Sequence, residues 1–266
     1  MPTSVTIHGA AGRMGQRLIA IASADDSFSI AGAVENAFSP SSGKDAGELA
    51  GVGTIGVPLS SAWPEACDAV IDFSVPEATD ALVETCVKQG WPLVFATTGL
   101  SAEQEQRIDS AASVIPIVKA ASMSTAVNLT MKLAEIAART LKDHPGGADV
   151  EIIERHHRFK EDSPSGTALA FGKMIGEAMA ITGETHGRHG RPGARPHDEI
   201  GYHAVRVGDN PGEHTLVFGL PGEVIELRVA ATGRDCYAQG ALAAAAWLQG
   251  KPAGMYDMQD VLGLRG

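Results

Sequence analysis

The sequence predicts an α/β fold in two parts, a parallel βαβ half followed by an α+β half. Three observations carry this prediction. As far as about residue 124, short apolar runs alternate with stretches of helical period, the rhythm of strands joined by crossover helices. The first strand-to-helix junction holds a glycine-rich turn, Gly9-Ala10-Ala11-Gly12-Arg13-Met14-Gly15. Between residues 200 and 230, three strand-like segments follow one another with no helix between them, which reads as an antiparallel sheet in a second domain.

The elements follow in order. Ser4–His8 is an apolar run that stops at the glycines, and from Arg13 the period becomes helical, with Met14, Leu18, Ile21 and Ala22 in phase. Ile30–Val34 makes a second strand, ending at Glu35, and Ala69–Phe73 a third. Pro76 suits a first helical turn, and the helix it opens runs to about Lys88. Leu93–Ala96 is a fourth strand, Ser101 with Gln104 reads as a capping box for the next helix, and Val114–Val118 is a fifth strand. Ala126–Leu141 has helical period, with Leu129, Leu133, Ile136 and Ala137 predicted to form its buried face. Val150–Ile153 reads as a strand and Thr167–Ala180 as a helix. Residues 183–198, rich in Gly, Arg, His and Pro, read as a mobile loop. Ile200–Val207, His214–Phe218 and Val224–Ala230 are the three consecutive strands, and Arg234–Leu248 is an alanine-rich helix.

A chain of 266 residues, 44% hydrophobic and 20% charged, has ample material for one large domain or two medium ones. Its formal net charge of −11 argues against nucleic acid as a partner. The three cysteines, Cys67, Cys86 and Cys236, have no metal-type spacing and read as reduced thiols. No basic segment followed by an apolar one opens the chain, and no apolar run reaches 18 residues, so a soluble, cytoplasmic protein without a membrane partner is expected.

The glycine loop is spaced G-x-x-G-x-x-G. Glycines let the main chain turn sharply and approach a pyrophosphate, and the free N–H groups of the new helix meet its charge. Glu35, about 20 residues on at the end of the second strand, is placed to accept hydrogen bonds from a ribose. Strand, loop, helix, strand and acid in this order point to a nicotinamide dinucleotide. Asn36 follows Glu35, and Arg13 is the nearest basic residue in sequence, so NADH is expected to serve at least as well as NADPH. Ala96-Thr97-Thr98-Gly99 follows the fourth strand, at the sheet end where ligands bind in doubly wound folds.

The second motif is Glu154-Arg155-His156-His157-Arg158-Phe159-Lys160, with Ser163-Pro164-Ser165-Gly166-Thr167 close behind. Positive charge and imidazoles gather here in an otherwise acidic chain. Zinc is disfavoured, because Arg155, Arg158 and Lys160 repel a cation, and no metal site is expected. Ser163 or Ser165 can cap the following helix, whose N–H groups at Gly166 and Thr167 can hold a carboxylate. Imidazoles, an ammonium and a helix N-terminus together suit a small dicarboxylate that must be protonated.

Together the two motifs resemble the dihydrodipicolinate reductase family of bacterial lysine biosynthesis. Residues 9–15 are similar to its cofactor loop, and Glu154–Lys160 with Asp162-Ser163-Pro164-Ser165-Gly166-Thr167-Ala168 to its E-x-H-H-x-x-K-x-D-x-P-S-G-T-A signature. Glu199-Ile200-Gly201, Gly212-Glu213-His214-Thr215 and the tail Gly254–Leu262 are also similar to family segments.

The resemblance implies an oxidoreductase that reduces 4-hydroxy-tetrahydrodipicolinate to tetrahydrodipicolinate in diaminopimelate and lysine biosynthesis, using NADH or NADPH. It implies a Rossmann-type dinucleotide-binding domain over residues 1–124 and a second α+β domain with an open mixed sheet over 125–233. This second domain would bind substrate and join a homotetramer, and residues 234–266 would return to the first. By the same resemblance His156 is the acid/base residue and Lys160 the proton donor. His157, Gly166 and Thr167 bind substrate carboxylates. Gly9, Ala10, Ala11, Gly12, Arg13, Met14, Glu35, Ala96, Thr97, Thr98, Ala120, Ala121, Ser122 and Met123 line the cofactor site. Asn36 stands where many members carry Arg, Met123 where some have Phe, and Phe159 where some have His. Two other readings share these motifs: another amino-acid-related NAD(P)-dependent dehydrogenase, and a non-catalytic NAD(H)-sensing protein.

Overall fold

The computed structural model describes residues 1–265, beginning with strand β1 (Thr3–His8), whose Val5, Thr6 and Ile7 are all enclosed. Helix α1 (Arg13–Ser23) buries Gly15, Leu18, Ile19 and Ala22, a stripe at helical spacing. Strand β2 (Phe28–Val34) pairs parallel to β1. Two short elements follow that carry too few residues for a period to show. They are helix α2 (Ala46–Ala50), capped by Asp45, and strand β3 (Leu59–Ser60). Strand β4 (Ala69–Asp72) is buried throughout. A 3-10 turn at Pro76–Ala78, with proline at its start, leads into helix α3 (Thr79–Gln89). Strand β5 (Leu93–Phe95) leads to helix α4 (Ala102–Ala111), whose Ser101–Gln104 capping box is formed in both directions. Strand β6 (Pro116–Lys119) closes this stretch.

Neighbouring residues of these strands serve opposite cores. Ile71, Val94 and Val118 pack with α1 on one face, and Val70, Leu93, Phe95 and Ile117 pack with α3 and α4 on the other. Burial on both faces is why the strands read as continuous apolar runs rather than alternating ones.

A second unit spans Ala126–Gly233. Helix α5 (Thr125–Leu141) leads into it but does not bury the expected face. Val127, Thr130, Ala134, Ala138 and Leu141 face inward, while of the expected residues Leu129, Leu133 and Ile136 are exposed and only Ala137 packs against the core, half-buried. The fully buried Ala134 and Ala138 lie in the second unit's core with Val150, Ile152 and Phe171. Strand β7 (Asp149–His156) alternates strictly, with Val150, Ile152, Glu154 and His156 on the helix-covered face. Helix α6 (Gly166–Met179) follows, with Ser165 as its N-cap.

The segment 183–198 is not simply a loop. It contains strand β8 (Gly183–His186), and Arg188 and Arg195 tie it to Glu151 of β7. Strand β9 (Glu199–Arg206) pairs parallel to both β7 and β8, against the antiparallel expectation. The cause is two crossover connections, α6 between β7 and β8 and residues 187–198 between β8 and β9, each of which returns the chain in the same direction. Strands β10 (Glu213–Leu220) and β11 (Glu223–Ala230) are the antiparallel pair, and the sheet order is β11-β10-β7-β9-β8.

From Arg234 the chain belongs again to the first unit. Helix α7 (Asp235–Trp247) packs Ala238, Ala241, Leu242, Ala244 and Ala245 into the core shared with α1. Its Gly240 lies so close to the main chain of Met123 that a methyl group there has no room. Strand β12 (Gly254–Tyr256) adds to β6, and helix α8 (Met258–Val261) ends the series. The first sheet is then seven parallel strands in the order β12-β6-β5-β4-β1-β2-β3.

Candidate active site

In the first unit the glycine loop caps the carboxyl end of β1. Gly9 has φ +78°, and a Cβ there would lie 2.7 Å from the carbonyl oxygen of Phe73. A Cβ on Gly15 would lie 2.3 Å from the carbonyl oxygen of Gly9, so α1 passes directly against the loop. Gly12 is the N-cap of α1, which has neither a capping side chain nor an acidic residue in its first turn. The positive end of this helix is therefore open to an anion. Glu35 reaches back to the loop, accepting from the N–H of Ala11 and of Asn36, both at 2.9 Å. A helix end without its own carboxylate and two glycines with no room for a Cβ are what a pyrophosphate requires, so these residues fit a dinucleotide.

Beneath the loop, Asp72 is fully buried. It accepts from the Thr97 hydroxyl at 2.7 Å and the Ser74 N–H at 3.2 Å, and lies 2.7 Å from Nδ1 of His8. The His8 ring stacks on Trp63 with centroids 5.4 Å apart. His8, Gly9, Glu35, Asn36 and Trp63 share the lining of a pocket of about 260 Å³. Of the other expected cofactor residues, Arg13, Thr98 and Ala121 are exposed, Met14, Ala96 and Ala120 are half-buried, Ala10 and Ser122 are buried, and Met123 packs into the core. Sequence reasoning misses His8 and Asp72. The visible signal is a carboxylate closing the otherwise apolar run of β4.

In the second unit, one end of the sheet gathers charge on its helix-covered face. Pairing sets His156 of β7 opposite Arg206 of β9 and Glu154 of β7 opposite His214 of β10. Glu154, 1% exposed, lies 2.6 Å from Nδ1 of His156 and receives both terminal nitrogens of Arg206, at 2.7 and 2.8 Å. Burial alone raises a carboxyl pKa. Here the hydrogen bonds from His156 and Arg206 outweigh it and hold Glu154 down to about 2. Its other oxygen accepts the Ser165 N–H at 3.1 Å, binding the start of α6 to the same carboxylate. The Ser165 hydroxyl accepts the Ala168 N–H and lies 3.1 Å from Nε2 of His214. Burial, reinforced by the neighbouring His156, pushes His214 down to about 4, and its ring stands edge-on to His156 at 5.3 Å.

Lys160 pairs with Asp162 at 2.8 Å and is 22% exposed. Its backbone N–H donates to the carbonyl of His157, whose own N–H donates to the carbonyl of Asn210. Phe159 is exposed, with Arg158 over its ring. Gly166 and Thr167 are the first two residues of α6, where N–H groups have no partner within a helix. The second unit thus brings His156, Lys160 and the α6 N-terminus to one region. Sequence reasoning misses Glu154, Arg206, Ser165 and His214 as site residues. The signal for Glu154 and His214 is a charged or polar side chain in phase with the apolar inward positions of its strand.

Comparison with known proteins bears on the whole chain. Residues 3–123 match the family described as dihydrodipicolinate reductase, N-terminus, and residues 126–262 match dihydrodipicolinate reductase, C-terminus. The 4-hydroxy-tetrahydrodipicolinate reductase of Rhodopirellula baltica is 59% identical over 99% of this chain and 97% of its own length. That of Alkalilimnicola ehrlichii is 46% identical over 99% of this chain and all of its own length. The fold is similar to that of the dipicolinate-bound dihydrodipicolinate reductase from Paenisporosarcina, with a TM-score of 0.73 at 23% identity over 98% of this chain and 99% of that one. The chain belongs to the dihydrodipicolinate reductase family.

Proposed function

We propose that this protein catalyses the reduction of 4-hydroxy-tetrahydrodipicolinate to tetrahydrodipicolinate with a nicotinamide dinucleotide, in the cytoplasm. The observation that carries the reading is local to the second unit. A helix N-terminus suited to a carboxylate lies beside an imidazole and an ammonium suited to moving protons. A dinucleotide held through Gly9–Met14, Glu35, Ala96–Thr98 and Ala120–Met123 would supply the hydride. Loss of the substrate hydroxyl as water, uptake of the hydride and uptake of one proton balance the reaction.

Gly166 and Thr167 offer N–H groups to one substrate carboxylate, and His157 adds a polar contact. Lys160 delivers the proton to ring carbon next to the site of reduction, and Asp162 holds its ammonium in place between turnovers. His156 exchanges a proton with substrate as the hydroxyl leaves. Acid–base help of this kind is typically worth about 10² to 10⁴ in rate. Lys160→Ala and His156→Ala are each expected to lose on the order of 10²-fold in kcat. Wild-type kcat in either variant removes that residue from the chemistry.

The chain is also proposed to assemble as a homotetramer through the second sheet. Edge strand β11 is largely exposed, and Val205 and Val224 are open to solvent on the face away from the helices. An uncovered sheet edge with apolar side chains calls for a partner.

A further inference from the structure

Glu154 has no step of its own in the proposed chemistry, yet both its oxygens are filled. One meets Nδ1 of His156 and Nη1 of Arg206, and the other meets the Ser165 N–H and Nη2 of Arg206. An ionised carboxylate offers about four lone-pair positions, and here four groups take them. We propose that Glu154, neutralised by Arg206, is a positioning residue that fixes neutral His156 as its Nδ1–H tautomer and leaves Nε2 as the atom that exchanges protons with substrate. This rests on His156 being the acid/base residue.

An ionised carboxylate can only accept, and hydrogen bonds hold Glu154 ionised to about pH 2. A ring nitrogen 2.6 Å from it must therefore carry the hydrogen. Nδ1 stays protonated throughout, and Nε2 alone gains and loses a proton. Arg206 decides how strongly the carboxylate pulls. Its two-pronged contact balances the charge of Glu154, so the carboxylate acts on the ring through the direction of its hydrogen bond.

The remaining charged and titratable groups around His156 are consistent with a ring that must change state. His214 of β10 is neutral at working pH, and Lys160 is paired with Asp162. The carbonyl of Asp162 receives Nη2 of Arg206, which also links the Lys160 segment to the hub. Through the Ser165 N–H the same carboxylate sets the start of α6, so one group places both the proton-moving ring and the carboxylate-holding helix end.

The test is ¹⁵N NMR on the full-length protein labelled in its histidine rings, with His156→Asn assigning the signal. Neutral His156 in the wild type is expected as the Nδ1–H tautomer. In Glu154→Gln the amide can donate to Nδ1, so the ring is expected to switch to Nε2–H. With that switch kcat falls about 10²-fold while KM for the cyclic dicarboxylate changes little. Glu154→Asp is expected to restore Nδ1–H and part of kcat. An Nε2–H ring in the wild type overturns the proposal, even if Glu154→Gln fails to fold. So does an unchanged tautomer and kcat in a folded Glu154→Gln. Nδ1–H in the wild type with unaltered kcat in His156→Ala contradicts the role of Nε2 in turnover and places the failure in the functional reading.

Discussion

In the proposed cofactor site, Glu35 and Asn36 are the residues expected at the adenosine end. The Glu35 carboxylate is fastened to the glycine loop through Ala11, and Asn36 spends its side-chain oxygen on the N–H of Phe38. A fixed negative charge and no neighbouring arginine in sequence disfavour a 2′-phosphate. NADH is therefore expected to give kcat/KM at least equal to NADPH, and a strong NADPH preference in steady-state assays contradicts this.

His214 and Glu154 make stability fall on the acid side in two successive windows. His214 binds its proton more weakly folded, at about 4, than at its ordinary 6.5. Its contribution is whole above pH 6.5 and is lost as pH falls from 6.5 to 4. Glu154 is lowered from 4.5 to about 2, so its contribution is present above pH 4.5 and lost between 4.5 and 2. Thermal unfolding followed against pH should show Tm declining from about pH 6.5, and His214→Gln should flatten the upper window. Parallel curves for the two proteins contradict the assignment. Residues named by the basic motif are legible in sequence because they are contiguous. Arg206 and His214 are not, because strand pairing alone brings them within reach from about 50 and 60 positions away.

Among the elements, α6 does the most with the least sequence. Ser165 caps it, Glu154 receives the cap residue's N–H, and it carries the chain from β7 to β8 in the same direction. Ser165→Ala removes the cap and the contact to His214, and should lower unfolding free energy by about 1 kcal/mol or somewhat more in denaturant titrations. No change in midpoint contradicts the capping role. Helices and strands of the first unit are legible because each is long enough to show a period or is a wholly apolar run. β3 and α2 are too short for that. The face of α5 is misread because large aliphatic residues suggest burial, whereas Ala134 and Ala138 are the fully buried ones.

Across the whole chain, the two units differ in what sequence can reveal. A parallel sheet covered on both faces announces itself as buried runs, so β1, β2, β4, β5 and β6 follow from pattern while the short β3 and β12 do not. The second sheet leaves one face open and mixes directions, and the mixing of directions is not visible in periodicity. That open face is where self-association is proposed. Sedimentation equilibrium is expected to give four copies, and Val224→Glu with Val205→Glu is expected to lower that number. A wild-type monomer at micromolar concentration contradicts this.

The most direct test of the account is a coupled assay in which the cyclic substrate is generated in situ and nicotinamide oxidation is followed with NADH and NADPH side by side, for the wild type and Lys160→Ala. The account predicts oxidation strictly dependent on the cyclic dicarboxylate and reduced on the order of 10²-fold in kcat by the substitution. Absence of substrate-dependent oxidation with either cofactor, or wild-type kcat in Lys160→Ala, contradicts it.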